Sequence, residues 1–327
     1  MRILKLLPQF EKWLRDDQDR SALTIKFYLT DVNDFARWLN QTQSQPADAE
    51  RVTPTLIKDY RAWLQTTQHQ KNSSVNRRLA ALRTFFNWAA LEGHTGRNPL
   101  SGLKPLRQQQ APPRWLDPQA EHKFQYALEL HAPDVAAGAS LRPFERLTYR
   151  DAAMITLMWK AGLRVSEVAA LDVKDVKIQS HKRGTAEVRH GKGDKARTVP
   201  LNADVIAALR TWLSLRPATD DPALFLSRSD QRVTVRAVQT VVEQLGREAA
   251  ALVKARSAED RAMAESLNAL SAHVLRHTCG KRLLDAGAQL TEVAAILGHE
   301  DLNMTRRYTQ PGEEDLHRAA GRIASRE

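Results

Sequence analysis

The chain lacks the features that mark several large protein classes. Its 327 residues include one cysteine, Cys279, which excludes an internal disulfide framework and suits a reducing cytoplasm. No apolar run is long enough to span a bilayer. Arg2 and Lys5 open the chain, but charged residues soon interrupt any apolar core, so no secretory leader is expected. There is no internal repeat and no low-complexity tract. The GxxxxGK(S/T) nucleotide loop is missing, and Gly191-Lys192-Gly193-Asp194 does not replace it. A zincin would need glutamate after the first histidine of an HxxxH pair. Here Val274 follows His273, so no metal site is expected.

What is present is basic charge. The net charge of +11 and pI near 9.9 favour an anionic partner such as nucleic acid or a membrane surface, and with the motif blocks described below no membrane partner is expected. The excess is uneven: Met1 to Arg107 holds 17 Lys/Arg against 10 Asp/Glu, or +7, which leaves +4 for the rest. Between Asn72 and Arg107 six basic residues face a single acid, Glu92. Arg77, Arg78 and Arg83 lie there on the polar face of a helix and are candidates for backbone phosphate contact.

The length favours two domains. Helical periodicity predicts a short helix from Pro8 to Arg15 and a longer one from Ser21 to about Asn40 that buries Leu23, Phe27, Val32, Phe35, Trp38 and Leu39. Thr53-Pro54 is a helix start, a capping hydroxyl with proline at the first helical position. A fourth helix, capped by Ser73 or Ser74, runs to Leu91. Residues 1–107 thus read as a compact bundle of four helices, 108–116 as a proline-containing linker, and 117–327 as a mixed second domain. In that domain a helix should open at Asp117-Pro118, another should cover Tyr149 to Ala161, and a third should begin at Val165. Short strands at Thr185 to Arg189 and Thr198 to Leu201 flank a glycine-rich hairpin tip with Lys192 exposed. Ala203 to Leu213 and one long segment from Arg236 to about Ala264 read as helical, and His131–Leu147 as an insertion.

The densest chemistry lies between Ser271 and Gln310. Ser271 caps a helix on which His273, Arg276 and His277 share a face, and Gly287 ends it. Thr291 is a plausible cap for a second helix closed by Gly298. His299 follows at the turn, and Tyr308 comes one short helix later. Phosphoryl transfer without a metal needs a nucleophile, cations for the non-bridging oxygens and an acid for the leaving oxygen. Arginine binds phosphate through a planar fork that keeps its charge. Arg164 and Arg276 suit the clamp, Lys192 the acid, and Tyr308 the nucleophile, with Arg306 and Arg307 nearby to favour phenolate. His273 and His299 could donate to the phosphate or shuttle the proton. His277 reads as a packed helix histidine and Glu167 as a local pairing or capping residue.

Five blocks carry a resemblance. GLRVSE at Gly162–Glu167, GKGDK at Gly191–Lys195, HVLRH at His273–His277, LGHE at Leu297–Glu300 and RRYTQ at Arg306–Gln310 stand in the order found in the tyrosine recombinase/integrase family. That family includes phage integrases, Xer-type recombinases and transposon resolution recombinases. The first domain, with its Asn98-Pro99 exit, resembles the family's core-binding (SAM-like) domain. The resemblance implies a mainly α fold with a small β-hairpin or sheet, in two domains. It also implies an activating set of Arg164, Lys192, His273, Arg276 and His299 around the nucleophile Tyr308. The implied reaction is attack on a DNA phosphate, giving a 3′-phosphotyrosyl link and a free 5′-hydroxyl with no metal, ATP or other cofactor. A tetramer on two double-stranded DNA sites is implied too, with a second recombinase or accessory protein left open. Gly312–Glu327 resembles a C-terminal helix that docks on a neighbour. Cys279-Gly280 and the long stretches at 131–147 and 246–270 depart from compact members. Two alternatives stay open, a non-catalytic DNA-binding protein on the same scaffold and a type IB topoisomerase.

Overall fold

Pro8 does not begin the first helix; it lies inside it. The computed structural model describes residues 1–43, 47–107, 113–133, 142, 145–189, 196–299, 301–306 and 308. Helix α1 spans Ile3–Asp16 and buries Ile3, Leu6, Phe10 and Leu14. Their burial offsets the roughly 3 kcal/mol that an interior proline costs. Helix α2 (Ala22–Gln43) starts after Ser21, whose hydroxyl accepts from Thr24 N at 3.3 Å. It buries Ile25, Val32, Phe35, Ala36, Trp38 and Leu39, but Leu23 and Phe27 are exposed, against expectation. Each lies two residues from Ile25, about 200° around the helix, so neither can share its inward face. The Phe27 ring instead carries the Arg77 guanidinium 5.4 Å from its centre.

Helix α3 (Pro54–Thr66) opens as expected, with the Thr53 hydroxyl accepting from Leu56 N at 3.3 Å. Helix α4 (Asn72–Leu91) begins one residue before the anticipated serine caps. The four helices enclose an aromatic core in which Phe10 meets Phe85 edge-on and Phe35 meets Tyr60. By its internal contacts the chain divides into two compact units, Met1–Ala111 and Pro112–Glu327.

The second unit is built around α6 (Arg146–Lys160), whose Ala153 to Met158 and Trp159 are buried on nearly every side. It follows α5 (Pro118–His131), which Asp117 caps through Gln119 N and Ala120 N. Helix α7 (Val165–Ala170) comes next, then three antiparallel strands in the order β1 (Val176–Ile178), β2 (Gly184–Val188) and β3 (Arg197–Leu201). Strand β1 was not anticipated, because three residues are too short for an alternating pattern. Val176 pairs with Ala186 and Ala186 with Val199. The buried Ala186, Val188, Val199 and Leu201 face α8 (Ala203–Leu215) and α6 as part of one core.

The single helix expected from Arg236 to Ala264 is two, α9 (Val235–Ala251) and α10 (Ala258–Asn268). Ser257 explains the break: its hydroxyl accepts from Asp260 N, and the Asp260 carboxylate accepts from Ser257 N, both at 3.0 Å. The two helices pack so closely that a Cβ on Gly246 would stand 2.5 Å from the Leu267 carbonyl. Helices α11 (Ala272–Asp285), α12 (Leu290–Leu297) and α13 (Leu302–Arg306) complete the unit. The cap of α12 is Gln289 rather than Thr291; its N–H donates to the Glu292 carboxylate at 2.7 Å. Among the described residues no helix is long and apolar enough to cross a membrane. The expected tail helix, most of the 131–147 insertion and the hairpin tip at 190–195 lie outside the described residues.

Candidate active site

Two helix ends create the site. The α6 chain ends at Gly162 (φ +70°) and α12 ends at Gly298 (φ +65°), both in the left-handed conformation that glycine adopts without strain. Each turn exposes carbonyls at the negative end of a helix, and arginines fill them. Arg276 on α11 donates through Nη1 to the Gly162 carbonyl at 2.6 Å and through Nη2 to the Leu297 carbonyl. Arg164 donates through Nη2 to the Gly298 carbonyl at 2.8 Å. The backbone at these turns therefore fixes two guanidinium groups from distant segments.

Glu167 joins them. Its carboxylate is buried and receives Arg164 N at 2.7 Å, Arg164 Nη1 at 2.9 Å, and Arg197 Nη1 and Nη2 at 2.8 Å each. Arg276 Nη1 stands 4.0 Å from the same group. Burial alone would raise the Glu167 pKa, but Arg197 and Arg164 together hold it below the ordinary carboxylate range. The Arg276 guanidinium is lowered to about 10, first by burial and then by Arg164, and stays charged at neutral pH. Among the described residues, three arginines and one carboxylate leave a local charge of +2, suited to an anion.

The Tyr308 ring is 2% exposed and packs on Val293 and Leu297. It also lies against Gly280, where a Cβ would stand 3.1 Å from the ring. Its hydroxyl is 2.6 Å from His277 Nδ1. The His299 ring stacks on Tyr308 at 6.2 Å between centres and 20° between planes, with Nδ1 2.8 Å from the buried Thr305 hydroxyl. Cys279 is buried beneath the site and its thiol is pushed up to about 11, an inert packing group.

Of the residues expected to act together, the structure places Arg164, Arg276, His299 and Tyr308 around the Gly162 and Gly298 turns. His273 is exposed in the first turn of α11, and Lys192 lies outside the described residues. Arg306 is exposed at the end of α13 and Arg307 is outside the described residues. Sequence reasoning missed His277 as the partner of the tyrosine hydroxyl, although its position on the Arg276 face was visible. Arg197 was missed altogether and has no local signal. The three arginines of α4 are engaged within their own unit. Arg77 forms a two-pronged pair with Asp31, Arg78 Nη1 reaches Asp34 at 2.8 Å, and Arg83 Nη2 donates to the Leu103 carbonyl at 2.7 Å.

His299 carries a pH prediction. Burial first, then Arg276, Arg164, His277 and Arg197, lower its pKa from 6.5 to about 4. The unfolded chain takes up that proton near pH 6.5 and the folded chain only near pH 4. The residue's contribution to stability is therefore complete above pH 6.5 and declines as pH falls toward 4. An anion placed beside the cluster opposes this shift, so adding duplex DNA should raise the midpoint. Imidazole NMR titration of the free and bound chain checks both directions; a free midpoint near 6.5 would discard the argument.

Residues 137–314 match the family model described as Phage integrase family, and residues 7–93 match Phage integrase, N-terminal SAM-like domain. The chain belongs to the phage integrase family, the family of the tyrosine recombinases. Tyrosine recombinase XerC of Azotobacter vinelandii is 35% identical over 240 residues, 72% of this chain and 69% of that protein. Tyrosine recombinase XerC of Vibrio parahaemolyticus is 32% identical over 253 residues, 76% and 71% of the two chains. Among solved structures, the XerH site-specific recombinase bound to a palindromic difH substrate matches with a TM-score of 0.70 and 20% identity, over 96% of this chain and 84% of that one. The Tn1549 transposon integrase in complex with transposon right end DNA matches with a TM-score of 0.70 and 17% identity, over 99% and 100%. These likenesses establish the fold, mainly helical with a small antiparallel sheet and in two domains.

Proposed function

We propose that this chain breaks and rejoins duplex DNA at a specific site, with Tyr308 as nucleophile and Arg164 and Arg276 as the phosphate clamp. The observation that carries this reading is the Tyr308 hydroxyl, 2.6 Å from His277 within the same cluster as two backbone-fixed guanidinium groups. The phenol oxygen forms a bond to phosphorus as the 5′-oxygen of the next nucleotide leaves, protonated by Lys192. With His277 Nδ1 as acceptor, the phenol donates its hydrogen there. His273 and His299 supply the remaining hydrogen bonds to the phosphate oxygens. Attack by a 5′-hydroxyl reverses the step, so the phosphoester count is conserved and no ATP is consumed. A phenol 2% exposed cannot reach an external phosphate, so cleavage includes a step in which the Tyr308 segment leaves its packing on Val293 and Leu297. In this reading residues 1–107 form the core-binding domain, joined by the 108–116 linker to the catalytic domain at 117–327. Arg77, Arg78 and Arg83 contact phosphates, Arg77 most readily, because its side chain is 46% exposed. Strand exchange takes place in a tetramer on two sites in the cytoplasm.

The test uses nicked duplexes carrying the sequence that the full chain selects from a random duplex pool. Incubation should leave an SDS-resistant adduct on the strand labelled at its 5′ end, with a free 5′-hydroxyl on the other fragment. The absence of an adduct, with binding intact, would favour the DNA-binding alternative. Relaxation of supercoiled DNA without site preference would favour a topoisomerase.

A further inference from the structure

Among the described residues, Arg197 is the one cation of the cluster that neither the motif blocks nor the proposed chemistry uses. It opens β3 and crosses to α7, where its planar fork meets both Glu167 oxygens at 2.8 Å. Its side chain is only 18% exposed, too enclosed for an ordinary surface pair. Its Nε approaches the Ile296 carbonyl at 3.4 Å, and the guanidinium passes so close to Gly298 that a Cβ there would stand 2.7 Å from Nε. Arg197 thus touches α7, the end of α12 and the turn that holds Arg164.

The acceptor count at Glu167 gives this contact its meaning. A carboxylate offers about four lone-pair positions, and four donors occupy them: Arg164 N, Arg164 Nη1 and the two Arg197 nitrogens. Arg276 Nη1 is left at 4.0 Å, outside hydrogen-bond range, and donates to the Gly162 carbonyl instead. Without Arg197, two positions on a buried carboxylate would open beside two cations, and a movement of about 1 Å would let Arg276 close on them.

We propose that Arg197 is a positioning residue for DNA cleavage: by filling the acceptor positions of Glu167 that Arg164 leaves open, it keeps Arg276 from closing on that carboxylate and holds the Arg164 and Arg276 forks ready for phosphate. This rests on the reading of the site given above. Misplacement by about 1 Å is enough to slow a positioned reaction by roughly 100-fold.

The experiment measures single-turnover adduct formation at saturating nicked duplex, using the sequence selected by the full chain. Arg197→Met should react about 100-fold more slowly than the unmodified chain, with Kd for the duplex changed less than about threefold. The double change Glu167→Gln, Arg197→Met removes the surplus acceptor together with its cation and should recover at least about tenfold of that loss. A purely structural role predicts the opposite, a double variant no faster than the single one. That result, in proteins that melt within a few degrees of the parent, would overturn the proposal. So would an unchanged rate in Arg197→Met, or a loss accounted for by Kd alone. If Arg197→Met does not fold, Arg197→Lys and Arg197→Gln replace it. Lysine should then be about tenfold faster because it keeps the neutralising charge, and equal rates would overturn the proposal. No adduct from the unmodified chain would bring down the reading of the site and this inference with it. An adduct from the unmodified chain without recovery in the double variant would bring down this inference alone.

Discussion

Tyr308→Phe is expected to remove covalent adduct formation by a factor on the order of 10⁴ or more while leaving DNA affinity within a few fold. The substitution deletes one oxygen. The ring still fills the space against Val293, Leu297 and Gly280, while the hydrogen bond with His277, worth about 1 kcal/mol, is lost. The fold and the charges that attract phosphate therefore persist. Among the described residues no other group in the cluster replaces the phenol: the Thr305 hydroxyl is fully buried against His299, and the Cys279 thiol is held protonated. Gel resolution of the denatured adduct, beside a binding isotherm at fixed salt, separates the two effects. An adduct that survives in Tyr308→Phe at the parent rate would place the nucleophile elsewhere.

Glu167→Ala should destabilise the second unit by about 3–5 kcal/mol, the usual cost of breaking a buried ion pair from one side. The carboxylate is 6% exposed and four donors converge on it. Its removal leaves Arg164, Arg197 and the nearly buried Arg276 facing one another with no counter-charge among the described residues. The backbone carbonyls of Gly162, Leu297 and Gly298 supply dipoles but no net charge to offset that repulsion. The same logic sets a pH dependence. Because the Glu167 pKa is held below 4.5 in the folded chain, its stabilising contribution is complete above pH 4.5 and disappears as pH falls through the lowered value. The measurement is the urea midpoint of the second unit at pH 7, compared with the parent. A change of less than about 1 kcal/mol would mean the arginines do not depend on this carboxylate.

The two glycine turns show how far local signals carry. Gly162 and Gly298 were visible as helix stops, and both adopt positive φ. That their carbonyls would each receive an arginine from another segment was not visible, because hydrogen-bond partners at a helix end are settled by whatever packs over it. The Ser257 break in the expected long helix is a related case. Ser257 and Asp260 stand at capping-box spacing, but the reading of one long helix rested on the helical pattern on either side of them. Leu23 and Phe27 were assigned to the core from mixed three- and four-residue steps, whereas their angle from Ile25 around α2 places them outward.

Composition, charge and the ordered motif blocks were enough to determine the family and its two-part helical plan, and to nominate residue types for the chemistry. Such signals are local, because caps, breakers and short motifs act within a few residues of themselves. Tertiary packing decided which groups meet. Glu167 is shared by Arg164 at three residues' distance and Arg197 at 30, Tyr308 meets His277 across 31, and Arg164 reaches Gly298 across 134. Separations of that size carry no periodicity. They are fixed only when the buried faces of α6, α7 and α11 close on one core and α12 packs Val293 and Leu297 against Tyr308, and burial makes each polar group there find a partner.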